Sequence, residues 1–260
     1  MLDAPLDLAT ARILLSNDDG IAAPGLETLE RVMHAISSDV WVAAPEREQS
    51  GAGHSLTLRQ PVRIRKLGPQ RFAIDGTPTD SVLLGFRQIM RDRPPALLLS
   101  GINLGGNMGE DVTYSGTVSA AMEGTLLGVP SIAFSLAVAD GAVPLWETAA
   151  QVVGEVVRRL TAITWPANTL MNVNIPNLPA DRLTGIHAAA QGRRLAADNT
   201  VEATDPRGRR IYWIGPNRNE EAVLPGSDID VVRRGGVAIV PIHLDFTHRE
   251  ALETLRSLFP

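Results

Sequence analysis

The stretch "ILLSNDDG" (residues 13–20) decides how the rest of the chain is read. Its apolar half does not alternate with polar residues, so it reads as a strand buried on both faces, the mark of a parallel sheet covered by helices. The run then stops at Asn17-Asp18-Asp19-Gly20. Folding gains nothing from two like charges side by side. In open α/β sheets ligands bind beyond the carboxyl ends of the strands, which is where this pair falls. Asp18 and Asp19 can offer several oxygens to one hard divalent cation. The plain alternative is an Asp-Gly turn with a solvated neighbour.

Working outward, "VWVAAP" (40–45), "ALLLSG" (96–101), "VPSIAFS" (129–135) and "LMNVNIP" (170–176) repeat the continuous apolar pattern. Between them lie helix-period segments: "GLETLERVMHAIS" after Pro24, "DSVLLGFRQIM" (80–90), "SAAMEGTLLG" (119–128) with Gly128 as its stop, and "WETAAQVVGEVVRRL" (146–160). This alternation predicts an α/β fold with a mostly parallel sheet. After residue 176 the rhythm changes. "RGRRIYWIG" (207–215) and "GGVAIVPIHLDF" (235–246) read as strands without long helices between them, and the polar tract 192–210 as an extended loop or hairpin arm. The expected organisation is a tail over 1–10, a core over 11–180 holding the site, and a C-terminal subregion over 181–260 that completes the sheet and reaches towards another subunit.

Composition narrows the function. A formal net charge of −5 argues against a nucleic-acid polymer as partner, which needs a concentrated basic face. The absence of cysteine removes disulfides, thiolate metal sites and cysteine nucleophiles, and fits a reducing compartment. The N-terminus has neither the basic nor the apolar region of a signal peptide, and no apolar run approaches the ~20 residues that span a bilayer. The expectation is a cytoplasmic protein with no membrane contact.

Three further polar clusters follow strand-like runs. In "PEREQSGAGHSLTL" (45–58), Ser50 sits in a Gly-flanked loop and offers a neutral oxygen ligand, although Ser-Gly loops are common. His54 reads as a loop-packing histidine ahead of a proton donor. In "DGTPTDS" (75–81), a turn and N-cap for a helix starting near Asp80 nearly suffice as explanation. The most informative stretch is 97–124, where a strand ends at Ser100-Gly101 and a glycine-rich segment carries Asn103 and Asn107. "SGT" (115–117) then opens a helix, and free backbone N–H groups there, with the Ser115 and Thr117 hydroxyls, make a phosphate site. A Ser/Thr cap beside a flexible loop is the alternative, but capping leaves five glycines between 101 and 116 unexplained. No Walker lysine follows them, so this is not a P-loop.

Hard oxygen ligands beside an anion cradle are the equipment for metal-assisted attack of water on a phosphoryl group, with one Asp free to act as general base. "ILLSNDDG", "APEREQSGAGHSLTL", "DGTPTDSV", "SGIN" with its glycine-rich loop, "YSGTVSAAMEG" and "DPRGRRIYWIG" resemble, in order, the signature segments of the SurE (survival protein E) family. The likeness runs from about Arg12 to the C-terminal "PIHLDFT". It implies a Rossmann-like three-layer α/β/α sandwich with a C-terminal β-hairpin extension exchanged between subunits of a homodimer or homotetramer. It also implies metal-dependent hydrolysis of nucleoside 5′- and 3′-monophosphates, with short polyphosphate as a further substrate. The metal ligands would be Asp18, Asp19, Ser50 and Asn103, holding one Mg²⁺ or Mn²⁺ per subunit. Phosphate contacts would fall on Asn103, Asn107, Ser115, Gly116 and Thr117, and catalysis on Asp18 and Asp19. About ten residues precede the first strand, more than the family usually carries.

Rival readings are weaker. A phosphoaspartate phosphatase needs a second Asp two positions after the first, where Gly20 stands after Asp18, and Asn17 stands two before Asp19. A non-catalytic nucleotide sensor would not place two carboxylates beside a phosphate without a cation. His243 with Asp245, or Asp245 with His248, could form an acid/base dyad, but polar residues on a structural strand explain them more simply. The arginines at 193, 194, 207, 209 and 210 could draw an anionic substrate, or form solvated faces and ion pairs.

Overall fold

The structure, a computed structural model, describes residues 5–194, 200–215 and 223–259. Its centre is a parallel stretch of sheet made of β1 (Arg12–Ser16), β2 (Asp39–Pro45), β5 (Leu97–Leu104), β6 (Ser131–Ala137) and β7 (Thr169–Pro176). On one flank β4 (Arg71–Ile74) continues it parallel to β2, and β3 (Ile64–Gly68) closes that edge antiparallel. On the other flank β11 (Val237–His243) pairs antiparallel with β7, and β8 (Ile186–Ala188) lies outside it. The resulting order is β3-β4-β2-β1-β5-β6-β7-β11-β8. A hairpin of β9 (Thr200–Thr204) and β10 (Arg210–Ile214) stands apart as a second sheet, and residues 195–199 of the expected arm lie outside the described residues.

The double burial inferred from "ILLS" is literal. Ile13 and Leu15 enter one apolar cluster with Leu97 and Leu99, while Leu14 and Leu98 enter the opposite one. Helices α1 (Pro24–His34) and α4 (Trp146–Leu160) cover the first face, and α2 (Pro78–Leu84) and α3 (Gly116–Leu126) the second. Each fully buried Leu or Ile contributes roughly 1.5–3 kcal/mol, so this three-layer packing fixes the strand ends firmly. Two smaller helices, α5 (Asp228–Arg233) and α6 (Arg249–Leu258), follow in the C-terminal part.

One helix boundary is refined. The helix expected near Asp80 begins at Pro78, because Thr77 is its N-cap and Asp80 its third residue in a reciprocal capping box. It passes into a π-helical turn at Gly85–Ile89. Among the described residues before β1, Leu6 donates its N–H to the Thr161 carbonyl at 3.0 Å, and Leu6 and Leu8 pack on the first core cluster.

Candidate functional site: carboxylates beneath a helix terminus

Asp18 follows β1 directly and lies beneath the start of α3. It is only 4% exposed. The Thr117 hydroxyl donates to its Oδ1, and the backbone amides of Gly116 and Thr117 also hydrogen-bond to its carboxylate. Gly116 permits this approach, since a Cβ there would stand 2.6 Å from the Asp18 Cβ. Burial nevertheless pushes the Asp18 carboxyl up, and these donors only partly offset it.

Asp19 accepts the Leu104 N–H at 3.1 Å through Oδ2. Its carboxyl is pushed up to about 7, first by burial and next by the charge of Asp18. Neither carboxylate has an ion-pair partner among the described residues. Asn103 reaches the same strand-end region through a bulge in β5. The β5–β6 register breaks between Ser100 and Asn103, and a Cβ at Gly101 would lie 2.4 Å from the Phe134 carbonyl oxygen. The Asn103 Nδ2 donates to the Gly105 carbonyl at 2.8 Å, and its Oδ1 takes no hydrogen bond from a described residue.

The loop after β2 brings Ser50 to the same place. Ile21 N–H donates to the Pro45 carbonyl and Gln49 N–H to the Asp18 carbonyl, each at 2.8 Å. The Ser50 hydroxyl donates to Glu48 Oε1 at 2.9 Å, which leaves its lone pairs available. Glu48 also adds to the repulsion felt by Asp19. Sequence reasoning passed over Glu48, because a charged residue in an exposed loop gives no signal by itself. Among the described residues no three His, Cys, Asp or Glu side chains gather to hold a metal, so any cation here rests on two carboxylates and neutral oxygens.

The family model described as "Survival protein SurE" matches residues 13–198. The chain belongs to the SurE family. Proteins named 5′-nucleotidase SurE are similar along nearly their whole lengths: that of Paramagnetospirillum magneticum is 51% identical over 97% of both chains. That of Rhodospirillum rubrum is 48% identical over 97% of this chain and 98% of its own. The crystal structure of the SurE protein from Aquifex aeolicus superposes with a TM-score of 0.84 at 40% identity, covering 96% of this chain and all of that one. The Rossmann-like sandwich expected from the resemblance is therefore the fold observed.

In this SurE family member the glycine-rich loop is gripped from inside. Asn107 donates its backbone N–H to Asn174 Oδ1 and its side-chain amide to Ser135 Oγ, both at 2.8 Å. Its carbonyl accepts from Asn172 and Asn174. Gly109 N–H donates to Asp228 Oδ2 at 3.0 Å, and Gly192 N–H to Asp228 Oδ1 at 2.8 Å. Asp228, the first residue of α5, was missed because its partners lie 119 and 36 positions away. Ser115 caps α3 by accepting from Val118 N–H at 3.1 Å.

The donors expected to be free are thus partly spent: Thr117 on Asp18, Asn107 on Ser135. The N–H of Gly106, by contrast, meets no described acceptor. The candidate dyad lies elsewhere. His243 pairs with Thr169 at the start of β7, the end of the sheet opposite Asp18. Asp245 pairs with Arg249, and His248 caps α6 by accepting from Ala251 N–H at 3.1 Å. Arg193 and Arg194 face Glu110 and Asp111 beside the glycine-rich loop, while Arg209 and Arg210 pair within the hairpin.

Proposed function

We propose that the protein is a divalent-cation-dependent 5′-nucleotidase that hydrolyses nucleoside monophosphates to nucleoside and phosphate. Family membership and the naming of its close relatives support the reaction class. The observation that carries the cation is the pair Asp18–Asp19, drawn together and partly buried with no cationic side chain against either. The donor set fits Mg²⁺ or Mn²⁺: Asp18, Asp19, the Ser50 hydroxyl and the Asn103 carbonyl oxygen are all hard ligands. Such a cation, one per subunit, would polarise a phosphoryl oxygen and lower the pKa of a bound water.

The chain's own residues supply the rest. Asp18 is fixed under α3 and serves as a rigid ligand. Asp19 keeps one carboxylate oxygen beyond its bond to Leu104, and there it orients the attacking water and accepts its proton. As the new P–O bond forms, the bond to the ribose oxygen breaks, that oxygen takes a proton from solvent water, and Asp19 later returns the proton it accepted to solvent. The Gly106 amide and the Ser115 hydroxyl are the uncommitted donors that would meet the charge building on the phosphoryl oxygens. We assign phosphate contact to the Ser115 hydroxyl, whose hydrogen is uncommitted, and support of that wall to Gly116, Asn107 and Thr117, whose donors are already engaged, while Asn103 serves through its Oδ1 as a cation ligand. Nucleoside 3′-monophosphates and short polyphosphate are further substrates of the same site.

The protein acts in the cytoplasm as a homodimer or homotetramer. Support for assembly is the β9–β10 hairpin, which exposes Val201, Tyr212, Trp213 and Ile214; an isolated two-stranded ribbon is marginal in water without a covering surface. No described helix is long and apolar enough to cross a membrane.

Phosphate release from AMP tests the reading. It is expected with Mn²⁺ or Mg²⁺ and abolished by EDTA. Tight AMP binding without turnover, whether or not metal is added, would overturn it.

A further inference from the structure

Ser50 is the exposed member of the proposed ligand set, held at its own position only by its bond to Glu48. The turn that carries it is nevertheless fixed at both ends. Gln49 N–H donates to the Asp18 carbonyl at 2.8 Å, and Ala52 N–H closes the turn on the Gln49 carbonyl at 3.1 Å. Beyond it, Gly53 N–H donates to the Tyr114 carbonyl at 3.2 Å, and His54 Nε2 lies 3.1 Å from Glu123 Oε2. Glu123 is 9% exposed on a helix otherwise lined mostly with small residues, and His54 is its hydrogen-bonding partner. A buried carboxylate on such a helix is costly unless a partner needs it.

Helical geometry says what the contact is for. Glu123 lies seven residues after Gly116, so the two share a face of α3 about 10 Å apart along its axis. Gly116 meets Asp18 at one end of that face, and Glu123 meets His54 at the other. One rigid helix therefore registers both the carboxylate ligand and the loop carrying the hydroxyl ligand. We propose that His54 and Glu123 are positioning residues that hold the Ser50 turn against Asp18, and so set the affinity of the site for its divalent cation.

The inference rests on the cation site proposed above, and the test separates the two. Mn²⁺ binding by the full chain is titrated calorimetrically for wild type, His54→Ala and His54→Gln, beside thermal unfolding without metal. Residues that orient ligands from behind typically change metal affinity 10–100-fold. His54→Ala is expected to weaken Mn²⁺ binding about tenfold in a protein that stays folded at the assay temperature, its metal-free unfolding temperature lowered by a few degrees because Glu123 loses its partner. His54→Gln, whose amide keeps a donor at the place of Nε2, is expected to restore most of the affinity. Equal Mn²⁺ affinity in wild type and His54→Ala would overturn the positioning role and leave the cation site standing. An equal loss in both variants would also overturn it, because it would make the imidazole itself a ligand. A wild type that binds no Mn²⁺ would remove the cation site and this inference together.

Discussion

The Thr117 hydroxyl donates a hydrogen bond to Asp18 Oδ1, so a residue expected to meet a phosphate is engaged with a carboxylate in this fold. The opening turn of α3 is thereby capped from within the protein, and its dipole steadies a negative charge that apolar surroundings oppose. Asp18→Asn keeps an oxygen for Thr117 and loses the charge. The expected outcome is a metal-free protein at least as stable as wild type, with Mn²⁺-dependent phosphate release reduced at least a hundredfold. Calorimetry and a phosphate assay on the same preparation check both halves.

Gly116→Ala tests the closeness of the same contact. The added methyl would meet Asp18 Cβ at 2.6 Å and Pro78 Cγ at 3.0 Å. Relief requires α3 or the turn after β1 to shift, at a cost of about 1–3 kcal/mol. Urea denaturation should show that loss, and turnover should fall more than tenfold because Asp18 is displaced.

The pH dependence follows from Asp19. Its carboxyl is raised to about 7 in the cation-free fold and takes the ordinary value near 4 in the unfolded chain. Between these values the folded state binds more protons, so stability is fully present below pH 4 and is lost as pH rises through 7. Allowing for partial exposure, the loss is of order 2 kcal/mol, or about 5 °C in unfolding temperature. A divalent cation should reverse it, giving a larger stabilisation by Mn²⁺ at pH 8 than at pH 5. A stabilisation that is the same at both pH values would contradict the assignment.

Much of this was legible before any coordinates. "ILLSNDDG" showed the buried strand and marked the carboxylate pair at its end, since burial on two faces and charge at a strand end are local signals. Edge strand β3 was not visible, because "IRKLG" is exposed and charged and follows no apolar alternation. Helix α6 was missed as well: none of its residues is buried, so it leaves no core signature. In the site, Ser50 looked ordinary by composition alone, and only the family resemblance singled it out; the return of its loop to Asp18 is a feature of the fold. Asp228 and Glu123 gave no sign at all, because their worth lies in partners tens of residues away that only the folded topology supplies.

Trp213→Asp probes assembly. Trp213 is 67% exposed on β10, so a charge there costs the isolated chain little. In an oligomer that covers the hairpin it buries an unpaired carboxylate. Sedimentation is expected to give monomers in place of dimers or tetramers, with the far-ultraviolet spectrum unchanged.

Asp228→Ala strips the acceptor from two loop amides, Gly109 and Gly192. Orphaned buried donors cost about 1–3 kcal/mol each. A fall of that order in unfolding free energy is expected, with a higher KM for AMP.

The reach of Asp228 across the fold also bears on how the protein comes into being. Asn107 of the glycine-rich loop is held from β6 and β7, but the carboxylate that holds Gly109 is added some 120 residues after the loop. A nascent chain that has completed β1 to β7 already carries the four proposed cation ligands, yet lacks the clasp on the loop beside them. A fragment ending near residue 180 would therefore carry the proposed ligands while its glycine-rich loop lacked the bond from Gly109 to Asp228.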